Sequence, residues 1–169
     1  MPRIRTHSEE ETRRLGERLG GRLRAGDVVL LSGELGAGKS VLARGIARGM
    51  GVAGPVPSPT FVLMTVNRGA RLPLYHMDLY RLEDARALWE SGLEEYIGGD
   101  GVAVIEWPER ALEAMPAKHL AIELSRGGDA EARDVCLTPC GGFSPELTEA
   151  LLVRATDGSA RRSAGEEMP

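Results

Sequence analysis

Residues 33–40 read Gly-Glu-Leu-Gly-Ala-Gly-Lys-Ser, which matches G-x-x-x-x-G-K-[ST] at every fixed position. No other stretch constrains the fold as strongly, because the motif works only where a buried strand delivers the chain into a tight turn and a helix leads it away. Both neighbours are present. Asp27–Ser32, DVVLLS, is a short apolar run of the kind that becomes a strand buried on both faces, and from Ser40 to Met50 small and aliphatic residues recur at helical spacing. Strand, glycine-rich turn and helix in this order predict an α/β fold of the P-loop NTPase type. Its sheet should be parallel around the phosphate site, with helices on its faces.

The chemistry of such a turn follows from its residues. Glycines let successive backbone N–H groups, here those of Leu35, Gly36, Ala37, Gly38, Lys39, Ser40 and Val41, turn inward around phosphate oxygens, and the helix adds its positive dipole end. Lys39 reaches the β- and γ-phosphates as a point charge, and the Ser40 hydroxyl is a ligand for Mg²⁺. Lysine is scarce here: only Lys39 and Lys118 stand among 21 basic residues, so one lysine is kept where an ammonium is needed.

A P-loop also needs an acidic residue at the end of a neighbouring strand, to hold Mg²⁺ and orient the attacking water. Two fit. Glu106 ends the apolar run Val102-Ala103-Val104-Ile105, and Asp78 ends Leu74-Tyr75-His76-Met77. From the residues alone each also reads as a solvated strand-end carboxylate or a cap. Ser58-Pro59-Thr60, about twenty residues into the chain from the P-loop helix start, is either a switch-like loop that brings a hydroxyl to the metal or a proline-stiffened turn. His76 reads as a packed structural histidine and receives no catalytic role. Alternation sends Trp107 to the face opposite Glu106, as a core or interface aromatic.

Elsewhere, Ser8–Leu23 reads as a helix with a capping box from Ser8 to Glu11, weakened by Gly16 and Gly20. Phe61–Val66 and Leu72–Tyr80 read as a hairpin, Asp84–Ile97 as a helix with Gly92 weakening its middle, and Glu109–Met115 as a short helix. His119–Leu124 and Arg133–Leu137 flank Gly127-Gly128-Asp129 as a second hairpin. Residues 1–141 are expected to form the P-loop domain and 142–169 a partly mobile tail with one weak helical pattern, Pro145–Arg154. Cys136 and Cys140 lie about 13 Å apart if extended, too far for a disulfide, and no cluster completes a zinc site. They should be free thiols.

The 169 residues carry a net charge of -4, whereas autonomous nucleic-acid binders usually carry a basic excess, so a large non-specific RNA-binding face is not expected. No apolar run approaches the length of a bilayer span, and the start MPRIRTHSEEET lacks a signal peptide's apolar stretch. The expected setting is the cytoplasm, with no membrane partner.

Taken together, GELGAGKS at 33–40, SPTF at 58–61, YHMDLYRL at 75–82, LWESGLEEY at 88–96 and VIEWPER at 104–110 resemble TsaE, a bacterial ATPase family required for threonylcarbamoyladenosine modification of tRNA. The resemblance runs from about Thr6 to Cys140. It implies that Lys39 and Ser40 bind phosphate and Mg²⁺, with Ser40 standing where the family usually has threonine, and that Thr60, Asp78 and Glu106 are the matching site residues. It also implies that the segment near Ser8 lies against the nucleotide. Partners follow by the same route: TsaD, which modifies adenosine 37 of tRNAs reading A-starting codons, and TsaB, its scaffold, with tRNA met only through that complex. The expectation is a Mg²⁺-dependent ATPase, weak alone, in which Lys39, Asp78 and Glu106 are catalytic and Ser40 and Glu106 hold the metal. Two other readings stay open on the residues: a small-molecule P-loop kinase and a nucleotide-switch binding module. The latter would have to manage without an Asn-Lys-x-Asp guanine reader.

Overall fold

Strand β2 (Val28–Ser32) occupies the middle of a single seven-stranded sheet in the computed structural model, which describes residues 2–160. The other strands are β1 (Arg3–Thr6), β3 (Met64–Arg68), β4 (Pro73–Asp78), β5 (Val102–Glu106), β6 (His119–Arg126) and β7 (Arg133–Cys140), in the order β1-β7-β6-β2-β5-β4-β3. Strand β2 runs parallel to both neighbours, β5 and β6, and β5 runs parallel to β4; the edges are antiparallel, through β3–β4, β6–β7 and β1–β7. Parallel strands buried on both faces read as continuous apolar runs, which is why VVLL and VAVI stand out in the sequence.

Alternation along these strands divides the core. Val29, Leu31, Leu74, Val102 and Val104 pack with α1 (Glu9–Gly20), α2 (Lys39–Gly49) and the start of α4 (Pro145–Ala160). Val28, Leu30, Tyr75, Met77, Ala103 and Ile105 point the other way, toward α3 (Ala85–Ser91) and a 3-10 segment at Pro108–Ala114. Helix α1 starts as the capping residues predict, with Ser8 Oγ accepting from Glu11 N at 3.1 Å and Glu11 accepting from His7 N at 2.8 Å.

Several elements differ from the patterning. Strand β1 was not expected. Its Ile4 and Thr6 point inward while Arg3 and Arg5 face solvent, so only two residues carry the core signal. The first hairpin begins later than predicted: Phe61–Leu63 form a turn, with Leu63 in the left-handed region at φ 66, and pairing starts only at Met64. The predicted helix over Asp84–Ile97 breaks at Gly92, also left-handed, into α3 and a 3-10 turn at Leu93–Tyr96. Gly16 and Gly20 do lower the helix propensity of α1. They also let its backbone touch that of α2, because a Cβ on Gly20 would run into Ile46 O and one on Gly16 into Leu42 O. Past Gly142, Phe143, Leu147 and Leu151 are buried in the α1–α2 core. The end of the expected mobile tail, 161–169, lies outside the described residues. Cys136 and Cys140 are free.

Candidate functional site

The turn between β2 and α2 is the glycine-rich motif. Gly36 at φ 80 and Gly38 at φ 104 take backbone conformations that side chains rarely adopt, and Gly38 is the N-cap of α2, which therefore has no capping side chain. The first-turn N–H groups of α2 are left to an outside acceptor, the arrangement that binds an anion. Lys39 Nζ donates to Gly33 O and, at 2.9 Å, to Glu34 O, and it lies 4.1 Å from the centroid of the Trp107 ring. Burial pushes the Lys39 ammonium below the ordinary lysine range, opposed by the negative charges of Glu106, Glu109 and Asp78.

The same alternation that sorts the core puts His76, Asp78 and Glu106 on the α2 side of the sheet, each less than a tenth exposed. Buried ionisable groups persist only with partners, and these have them. Glu106 Oε1 accepts from Ser40 Oγ at 3.2 Å, and Oε2 lies 2.7 Å from His76 Nε2. Asp78, the register partner of Glu106 across β4 and β5, accepts from Thr60 Oγ1 at 3.0 Å and from Tyr80 N at 3.0 Å. Ser58 Oγ lies 2.8 Å from Thr60 Oγ1. The fold thus gathers Lys39, Ser40, Thr60, Asp78 and Glu106 at the carboxyl ends of the central strands, from positions spanning 68 residues of sequence.

No group of three or more His, Cys, Asp or Glu converges to hold a metal among the described residues. Mg²⁺ needs none. It keeps several waters and is bound through one or two protein oxygens plus substrate phosphates, and Ser40 with Glu106, beside an uncapped helix start, is a donor set of that kind.

On the other side of β2 the hairpin β6–β7 brings up two residues that the sequence did not single out. Arg126 and Arg133 are cross-strand partners. Arg133 donates to Ala130 O at 2.9 Å, Ala132 O at 2.8 Å and Gly36 O at 3.3 Å, and the Arg126 guanidinium lies over Gly36. No local signal marks these arginines; only strand register places them. A small cavity beside them is lined by Glu9, Thr12, Gly38, Val41, Glu131 and Arg133. Ser8, expected near the nucleotide, caps α1 next to Glu9 and is not itself part of that lining. Trp107 packs against the second core cluster as alternation predicts, yet its left-handed backbone, φ 57, ends β5 and lets the ring reach both Lys39 and Tyr80.

Comparison with known proteins agrees with this architecture. The family described as "Threonylcarbamoyl adenosine biosynthesis protein TsaE" matches residues 6–135. A Bacillus subtilis protein called tRNA threonylcarbamoyladenosine biosynthesis protein TsaE is 40% identical over 147 residues, 87% of this chain and 91% of the relative. A Mycobacterium leprae protein of the same name is 49% identical over 125 residues, covering 69% and 78%. The crystal structure of B. subtilis YdiB superposes with a TM-score of 0.76 at 36% identity, over 89% of this chain and 93% of that one.

Proposed function

This chain belongs to the TsaE family, and from that premise we propose that it is a Mg²⁺-dependent ATPase of tRNA threonylcarbamoyladenosine biosynthesis that acts with TsaD and TsaB in the cytoplasm. The observation that carries the reading is the hydrogen bond between Ser40 and Glu106 at the end of β5, one residue along α2 from Lys39.

In this reading the P-loop amides from Leu35 to Val41 hold the phosphates, Lys39 neutralises charge between the β- and γ-phosphates, and Ser40 and Glu106 hold the cation. Mg²⁺ supplies electrostatic stabilisation of the transferring phosphoryl group. Asp78 orients the attacking water: Thr60 and Tyr80 N pin its two oxygens, and each oxygen keeps a lone pair to accept from that water. On the β6–β7 side, Glu9, Val41 and Arg133 line a small cavity beside the P-loop, close to the Ser8 cap, and these residues would border the bound nucleotide.

Partner dependence is supported by the rim. Leu35, Phe61, Val62 and Tyr80 are large apolar side chains exposed on the P-loop, the Thr60 loop and the chain after Asp78. A partner seated there would sense the nucleotide through Thr60. The net charge of -4 supports contact with tRNA through TsaD and TsaB rather than directly.

The test is a modification assay reconstituted from TsaD, TsaB, tRNA, ATP and a threonylcarbamoyl donor, with and without this chain. Modified tRNA should require the chain, and its ATP hydrolysis should rise when the partners are added. Full modification in its absence, or hydrolysis stimulated instead by a small alcohol or nucleotide, would overturn the proposal. A gel shift with tRNA and the isolated chain should show weak binding at physiological salt.

A further inference from the structure

His76 is buried to the same extent as Glu106, with 3% of each side chain exposed, and the contact between them is 2.7 Å. A carboxylate only accepts, so this contact is one that the Nε2–H tautomer of His76 would donate. The other ring nitrogen, Nδ1, is buried with no hydrogen-bond partner. The ring therefore directs its one polar tie at Glu106. As a packing residue it is a poor choice, because its neighbours on this face, Leu74 and Val104, are fully buried aliphatics and an imidazole among them leaves a polar atom unsatisfied. The two strands make the pairing possible. His76 is opposite Val104 and Asp78 opposite Glu106, so the histidine sits one same-face step behind the carboxylate, within diagonal reach.

Glutamate has a long, freely rotating side chain, and Glu106 has two anchors. The contact with Ser40 is the longer, at 3.2 Å, and Ser40 is itself a proposed cation ligand whose hydroxyl must serve the metal. The histidine contact is short and stays available when Ser40 is so engaged. We propose that His76 is the positioning residue for Glu106, its Nε2–H holding the carboxylate in the rotamer that faces Ser40 and so setting how tightly the site takes a divalent cation with its nucleotide. This rests on the reading of Glu106 as a cation ligand. Hydrogen-bond partners of metal ligands commonly change metal affinity by about 10- to 100-fold when removed, which sets the size of the effect to look for.

The experiment measures ADP affinity by calorimetry across a Mg²⁺ titration, together with Mn²⁺–ADP binding by electron paramagnetic resonance, for the full chain and for His76→Met, His76→Gln and Glu106→Gln. His76→Met should raise the Mg²⁺ concentration at half-effect by roughly 10-fold, while metal-free ADP affinity stays unchanged. His76→Gln keeps an N–H donor and should recover most of the loss, which a purely structural role would not predict. If Glu106→Gln shifts the Mg²⁺ requirement and His76→Met does not, the positioning role alone is wrong. If Glu106→Gln leaves it unshifted, the metal reading fails and this inference with it. Should the methionine variant not fold, long-range ¹⁵N–¹H spectra of the unaltered protein decide. An Nε2–H tautomer whose proton shifts on addition of Mg²⁺–ADP supports the role, and a signal indifferent to metal overturns it.

Discussion

On one flank of β2, strands β4 and β5 reach the site edge with Asp78 and Glu106, both buried and each tied to a neighbouring side chain. On the other flank, β6 and β7 meet the same edge with Arg126, exposed, and Arg133, half-buried and bound to backbone carbonyls. The two flanks use the same pleat and lie at equal distance in strand order from the P-loop, but they handle charge in opposite ways. Carboxylates withdrawn from water have their geometry set by protein partners, which suits groups that must meet a cation and a reacting phosphate in fixed positions. Arg126 stays hydrated and Arg133 is held by loop carbonyls rather than by a charged partner, an arrangement that suits the looser task of holding the bound molecule's far end in the proposed reading. In that reading, chemistry belongs to β4–β5 and grip to β6–β7.

Substitutions can break or sharpen that contrast. The largest effect is expected at the junction of the two flanks: Lys39→Met should weaken binding of a non-hydrolysable ATP analogue by roughly 100-fold, since charge-assisted contacts to two phosphates are lost. Its fold should not suffer. Burial holds the Lys39 ammonium below its ordinary value of 10.5, so the folded state binds this proton less readily than the unfolded one. Stability from this residue therefore rises with pH between the lowered value and 10.5, and below that window the charge is a burden that methionine removes. Calorimetry and thermal unfolding at pH 7 check both halves of the expectation.

Within the β4–β5 flank, Glu106→Ala should raise the Mg²⁺ requirement for nucleotide binding by about 10- to 100-fold, in line with loss of a ligand or its anchor. Asp78→Asn should leave binding near normal and slow partner-stimulated hydrolysis instead. The reverse pattern would exchange the roles of the two carboxylates. A third change addresses the scaffold beneath both flanks. Gly20→Ala improves helix propensity yet drives a methyl group into the Ile46 carbonyl, and overpacking of this kind costs about 1–3 kcal/mol. Its thermal midpoint should fall, whereas an alanine placed at the exposed Arg14 of the same helix should leave the midpoint unchanged.

The smallest effect is expected farthest from the chemistry. Arg5 and Asp134 pair across β1 and β7 at 2.7 Å, and the guanidinium holds the Asp134 carboxyl below its ordinary value of 3.8. Whatever stability this pair lends is present above 3.8 and is lost as pH falls through the lowered value. Both groups are solvent-exposed, so Arg5→Ala should return the Asp134 titration to the usual range, seen by carbon NMR, with no resolvable change in unfolding midpoint.

The P-loop, the buried strands on either side of it and the two hairpins were legible because each rests on local signals: glycine where φ is positive, unbroken apolar runs, turn residues between alternating stretches. Lys39, Ser40, Thr60, Asp78 and Glu106 were nameable for the same reason, since each stands at the end of a recognisable run or inside a motif. What stayed hidden depends on register and close approach. Strand β1 has only Ile4 and Thr6 to announce it and exists because β7 offers an edge. Gly16 and Gly20 look like helix defects until α2 lies against them. His76 resembles any packed histidine until parallel pairing of β4 with β5 sets it behind Glu106, and Arg126 and Arg133 meet over Gly36 only because one hairpin aligns them. Local covalent geometry and hydrophobic pattern are written along the chain and specify which groups are available. Which of them touch is settled by strand register, where a slip of one residue turns every side chain to the opposite face.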